Sequence, residues 1–211
     1  MSLSESLWRE NEDLTRAALG GGFVQGLADG ALPIRSFRYY VAEDAFFLES
    51  FARAYALALV HCPDRAGLED FSALISGVLE ELSLHSGYAA EWGVELSGVS
   101  PAPATLAYTD FLLATASLQS TGETCAAMTP CMRLYAYLGR TLAENGCPEE
   151  NRYAGWIETY ADPEFEGLAR KLEGLLDRYA ADSPAVRSAY RRAMRLEVEF
   201  FEAAFGAGKE G

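Results

Sequence analysis

The sequence predicts an all-α protein, a single-domain bundle of antiparallel helices over residues 1–211. Two observations carry that reading. No segment shows the strict apolar–polar alternation of a half-buried strand flanked by hairpin turns. Instead, apolar residues recur three and four apart over long stretches, separated by short breaks rich in Gly, Pro and Asp. Short connections between long amphipathic helices favour antiparallel neighbours. No internal repeat, low-complexity tract or linker divides the chain.

Taken in order, the breaks are "GGG" (20–22), "DGALP" (29–33), "HCPD" (61–64), "LSGVSPAPA" (96–104), "QSTGE" (119–123), "ENGCPEE" (144–150), "ADPE" (161–164) and "ADSPA" (181–185). Long helices are expected over about 36–61 and 64–93. Two later helices carry clear start signals. Asp162 precedes Pro163 and Ser183 precedes Pro184, each an N-cap followed by proline at the first helical position.

A 211-residue chain buries roughly 70% of its unfolded surface, so its core needs no staple. The formal charge of −14 argues against nucleic acid, whose binding rests on Lys and Arg neutralising phosphates. A well-solvated acidic surface explains that charge. No apolar run approaches a bilayer span, and "MSLSESLWRE" lacks a basic, then apolar, leader, so a cytoplasmic protein with no membrane partner is expected. Cys62, Cys125, Cys131 and Cys147 form no C-x-x-C pair, which leaves neither a zinc ribbon nor a dithiol redox site; reduced thiols are expected.

Polar residues on apolar stripes are more informative. The stripe of the 36–61 helix is Phe37, Val41, Asp44, Leu48, Phe51, Tyr55 and Ala58, with Asp44 its one charged member. The last helix repeats the pattern with Val186, Tyr190, Ala193, Glu197, Phe201 and Ala204. A carboxylate on a buried face must be paired, hydrogen-bonded or protonated. Such positions are where acid–base chemistry sits, although a buried carboxylate is often only a structural partner. On the 64–93 helix the stripe Leu68, Phe71, Ile75, Val78, Leu82, His85, Ala89, Trp92 holds His85, read as a hydrogen-bonded core histidine.

The stretch "MTPCMRLYAYLG" places Pro130 directly before Cys131, at a cost of roughly 3 kcal/mol within a helix. A break there makes Cys131 an early residue of a helical segment, where free N–H groups and the dipole lower a thiol pKa. Cys131 and Tyr135 then share a face. A buried cysteine is ordinarily an inert small hydrophobe. A di-iron centre would need Glu-x-x-His pairs on two helices, and the chain has two histidines in all. No G-x-S-x-G elbow supports serine chemistry. From chemistry alone, a thiol nucleophile helped by carboxylates is the better reading.

Four blocks carry a resemblance: "FVQGLADGALPIRSFRYYVAEDAFFLESFARAYALAL" (23–59), "TPCMRLYAYLG" (129–139), "WIETYADPEF" (156–165) and "LEVEFF" (196–201). In order and spacing the chain resembles the TenA family, also called thiaminase II. The resemblance implies a haem oxygenase-like all-α fold, a homotetramer, and no cofactor or metal. It implies hydrolysis of 4-amino-5-aminomethyl-2-methylpyrimidine to the hydroxymethyl pyrimidine, a thiamin salvage step, and for many members cleavage of thiamin itself. It assigns the nucleophile to Cys131, the ring-binding carboxylate to Asp44 and the acid–base glutamate to Glu197. Pocket tyrosines fall on Tyr108, Tyr135 and Tyr160, and Phe47 supplies an aromatic face where some members carry tyrosine. Ala45 and Arg133 depart from the family pattern without removing a catalytic group. A non-catalytic pyrimidine- or thiamin-binding protein is the competing reading, and a redox or metal enzyme on the same fold a third.

Overall fold

The computed structural model describes residues 1–96, 98–146 and 148–209. Ser97, within the fourth break, and Cys147 lie outside the described residues. Among those described, ten helices and no strand are present: α1 Leu3–Glu10, α2 Glu12–Gly20, α3 Gly22–Asp29, α4 Ile34–His61, α5 Arg65–Trp92, α6 Pro103–Leu118, α7 Thr121–Asn145, α8 Ala154–Ala161, α9 Pro163–Tyr179 and α10 Pro184–Ala207. Asp162 and Ser183 cap as expected, accepting from the backbone N–H of Glu164 and Val186. The division of α1 from α2 at Asn11 has no Gly or Pro to announce it.

Helix α7 is central, packing against α6, α8, α9 and α10, and most of its residues are buried. Helices α4, α5 and α6 form the other side, with α10 touching both groups. Every stripe residue named on α4 and α10 is buried, the two carboxylates included. The α5 stripe is rotated from the expected one: Leu74 is buried while Leu68 is 39% exposed. The inward line of α5 is Phe71, Leu74, Val78, Glu81, His85, and Glu81 joins it.

The expected break at Pro130 is absent. Helix α7 runs unbroken from Thr121 to Asn145, with Pro130 inside it and fully buried. Cys131 therefore sits mid-helix, far from any free N–H groups or dipole end.

Local contacts fix the site's walls. A Cβ on Gly139 would lie 2.4 Å from the Tyr160 carbonyl carbon, so the missing side chain lets α8 press onto α7. Glu43, buried beside Asp44, accepts hydrogen bonds from the Ala102 N–H at 3.0 Å and from the Thr105 hydroxyl. That carboxylate anchors the start of α6, where free N–H groups favour negative charge. Arg133 clamps α7 to α9, with Nη2 2.6 Å from Glu173 and Nη1 2.8 Å from Glu166. A forked guanidinium suits such two-sided pairing.

Candidate active site

Six helices bring polar groups to one buried place. Asp44, Phe47, Glu81, Cys131, Tyr135 and Tyr160 line a small, mostly enclosed cavity of about 10 Å³, room for roughly one water-sized sphere. Tyr108 and Glu197 adjoin it. The Tyr108 ring lies 4.9 Å from Phe47, and its hydroxyl donates to Glu197 Oε1 at 2.7 Å. Glu197 is within hydrogen-bonding reach of the Cys131 thiol. Of the seven residues named from the sequence, five line the cavity, while Tyr108 and Glu197 stand beside Phe47 and Cys131.

The electrostatics differ from expectation at the thiol. Burial holds the Cys131 pKa well above its ordinary value, and the charges of Glu197, Glu81 and Asp44 add to the rise. The expected activation by a helix start is overturned, because the unbroken helix offers no such end. Burial also pushes the Glu197 carboxyl up to about 8, with the hydrogen bond from Tyr108 opposing the rise. A protonated thiol beside a carboxyl titrating near neutral pH forms a nucleophile–base pair.

Outside the cavity lining, His85 Nε2 stands 2.6 Å from Asp44 Oδ2, both side chains being almost wholly buried. Close as they are, the pair is poorly aligned, and neither His85 nitrogen nor Asp44 Oδ2 has a well-directed hydrogen bond. Burial works to lower the His85 pKa, but the charge and contact of Asp44 outweigh it and raise the value. His85 is therefore an ion-pair partner of Asp44, a stronger role than the core histidine expected.

Sequence reasoning passed over two contributors. Glu81 accepts from the Tyr160 hydroxyl at 2.7 Å, and burial followed by the Asp44 charge pushes it up to about 7. Tyr40 receives the Trp156 Nε1–H at 3.2 Å, beneath the Tyr135–Trp156–Tyr160 ring cluster. The Glu81 signal was present: 71, 74, 78, 81 and 85 follow a 3-4-3-4 spacing. Arg133 belongs to the α7–α9 clamp and does not line the cavity.

A far larger open groove, about 850 Å³, runs between α1, α2 and α10 and shares no lining residue with this cavity. Three of its arginines are already held by carboxylates: Arg16 by Glu12, Arg187 by Glu10, Arg191 by Asp13. Among the described residues, no helix is long and apolar enough to cross a membrane.

Known proteins resemble the chain throughout. It is 32% identical to an aminopyrimidine aminohydrolase of Halalkalibacterium halodurans, over 97% of this chain and 96% of that one. It is 36% identical to the mitochondrial bifunctional TH2 protein of Arabidopsis thaliana over 86% of this chain, and the match spans 34% of that longer protein. The crystal structure of a TenA family transcription regulator from Silicibacter sp. TM1040 superposes with a TM-score of 0.88 at 26% identity, covering 97% of each chain. The helical arrangement is the haem oxygenase-like fold expected from the sequence. The model of the TENA/THI-4/PQQC family matches residues 22–207, and the chain belongs to that family.

Proposed function

We propose that this protein is an aminopyrimidine aminohydrolase, a thiaminase II, acting as one all-α domain. It hydrolyses 4-amino-5-aminomethyl-2-methylpyrimidine, and cleaves thiamin, to the hydroxymethyl pyrimidine. The observation that carries the reading is the buried array of Cys131, Glu197 and Tyr108 beside a small cavity that Cys131 and Asp44 both line. The name of the Halalkalibacterium relative supports the same activity. A cytoplasmic homotetramer is the assembly that the family resemblance implies.

In this mechanism Asp44, held by His85, binds the amidine edge of the aminopyrimidine and makes the ring more electrophilic. Glu197 takes the thiol proton as the Cys131 sulfur adds to ring carbon C6, splitting one hard displacement into two easier steps. The C–N bond at the exocyclic methylene then breaks. Ammonia or the neutral thiazole leaves; Glu197 gives the thiol proton to an amine bound uncharged, or releases it to solvent when the leaving group departs from a cationic substrate. Water adds to the methylene and gives a proton to Glu197. The C6–S bond breaks, and the thiolate recovers its proton. Tyr108 steadies the Glu197 carboxylate through each transfer, while Phe47, Tyr135 and Tyr160 offer ring faces worth about 0.5–1.5 kcal/mol each on the scale of aromatic pairs.

The test is direct. Incubation of purified protein with the aminomethyl pyrimidine, and separately with thiamin, yields hydroxymethyl pyrimidine by mass. No product from either compound would leave the binding-protein reading in its place.

A further inference from the structure

The cavity is small and mostly enclosed, so a substrate has to move side chains to enter, and two residues mark where. Glu81 and Phe165 line the inner cavity and also an outer cleft of about 270 Å³ between α5 and the α8–α9 junction. No other residue lines both. Phe165 packs edge-on against Tyr160 with centroids 4.9 Å apart, and Tyr160 in turn donates to Glu81. That ring and that hydrogen bond lie where the two spaces meet. Elsewhere the inner cavity is enclosed by well-packed aromatic and aliphatic side chains.

The cleft has a definite chemistry. Glu80, Glu81, Asp162 and Glu164 line it without any Lys, Arg or His, over an apolar floor of Leu84, Phe165 and Leu168. Leu84 is 54% exposed there. An acidic rim over an apolar floor matches an organic cation with an aromatic body, since close opposite charge concentrates the ligand at the mouth. Inside, the almost fully buried Asp44 lines the same cavity, a carboxylate where a ligand's donor would end its path.

We propose that Glu81 and Phe165 form the door to the cavity, and that Glu81 takes the positive charge of a cationic substrate passing from the outer cleft. This rests on the function proposed above and extends it to a substrate class. A primary alkylamine is an ammonium in neutral water, and thiamin carries a thiazolium; the hydroxymethyl product is uncharged at that position. Glu81, pushed up to about 7 by burial and by Asp44, ionises readily when a cation arrives beside it. The door thereby favours the charged substrate over the neutral product.

The experiment compares the KM of the aminomethyl pyrimidine with the inhibition constant of the hydroxymethyl pyrimidine, in wild type and in Glu81→Gln. Glutamine keeps an acceptor for Tyr160 and removes the charge. The KM of the amine rises about tenfold, the scale of one charge-assisted contact, while the inhibition constant of the alcohol moves less than twofold. Glu81→Asp, which restores the charge, recovers part of the loss. Phe165→Ala speeds association of the neutral alcohol in stopped-flow tryptophan fluorescence. Equal shifts for amine and alcohol, or none for either, with a wild type that turns over, would overturn the door alone. A wild type that neither hydrolyses the amine nor binds the alcohol would overturn the functional reading and this inference together.

Discussion

Glu197 should cost the protein stability, and the cost should depend on pH in a particular direction. Its carboxyl titrates near its ordinary 4.5 when unfolded and at about 8 when folded, chiefly through burial. Below pH 4.5 both states are protonated and nothing is lost. Between 4.5 and 8 the folded state holds a proton that the unfolded state releases, so stability falls as pH rises through that window. At about 1.4 kcal/mol per pH unit the penalty at pH 7.5 is on the order of 4 kcal/mol. Glutamine at this position keeps an acceptor for Tyr108 and removes the titration. The advantage of Glu197→Gln over wild type should therefore grow by about 3 kcal/mol between pH 5.5 and 7.5, the two pH units at that rate. Any fixed cost of the amide cancels in that difference. Equilibrium urea unfolding of both proteins at both pH values measures it. A gap that stays constant, or narrows towards pH 7.5, would show that burial does not raise the Glu197 carboxyl in the folded protein.

Other consequences follow from the same contacts. Asp44→Asn removes the charge that outweighs burial at His85, so the His85 pKa falls, as read from imidazole NMR with exposed His61 as the internal control. Tyr108→Phe deletes the hydrogen bond that lowers the Glu197 pKa; the alkaline rise of the rate moves to higher pH, and kcat/KM at pH 7 drops about tenfold, the scale of one buried hydrogen bond. Arg133→Ala leaves Glu173 without its partner and Glu166 with Arg170 alone, and destabilises the fold by about 2 kcal/mol in urea unfolding. Adding Glu166→Gln and Glu173→Gln recovers most of that loss.

The legible parts of this protein were those where a single residue broke a strong pattern. Asp44 and Glu197 each stand alone on an otherwise apolar stripe, and burial gave the sequence no cheaper place for them. The proline-marked starts of α9 and α10 were equally clear, because a cap and a fixed φ act locally. Glu81 escaped notice for a physical reason. It follows Glu80, and the pair looks like a solvated acidic edge until the rotation of α5 turns one of them inward. Glu43 is similar: nothing local distinguishes it from a surface residue, and its burial is explained by the start of α6, about sixty residues away in sequence. Pro130 misled in the opposite sense. Local chemistry favours a break, but α7 is surrounded by α6, α8, α9 and α10, and that packing outweighs one missing N–H. The thiol consequently lacks a helix end and depends on Glu197 for its proton.

The central claim is that Cys131 performs covalent chemistry in a cavity that recognises the aminopyrimidine independently of the thiol. Turnover and binding measured together on Cys131→Ser test it most directly, with product followed by mass and the hydroxymethyl pyrimidine titrated by calorimetry. Loss of turnover by about a thousandfold or more, with alcohol affinity kept within a few-fold, is the expected result. Turnover that survives the substitution would contradict the account and return Cys131 to the ordinary role of a buried core cysteine.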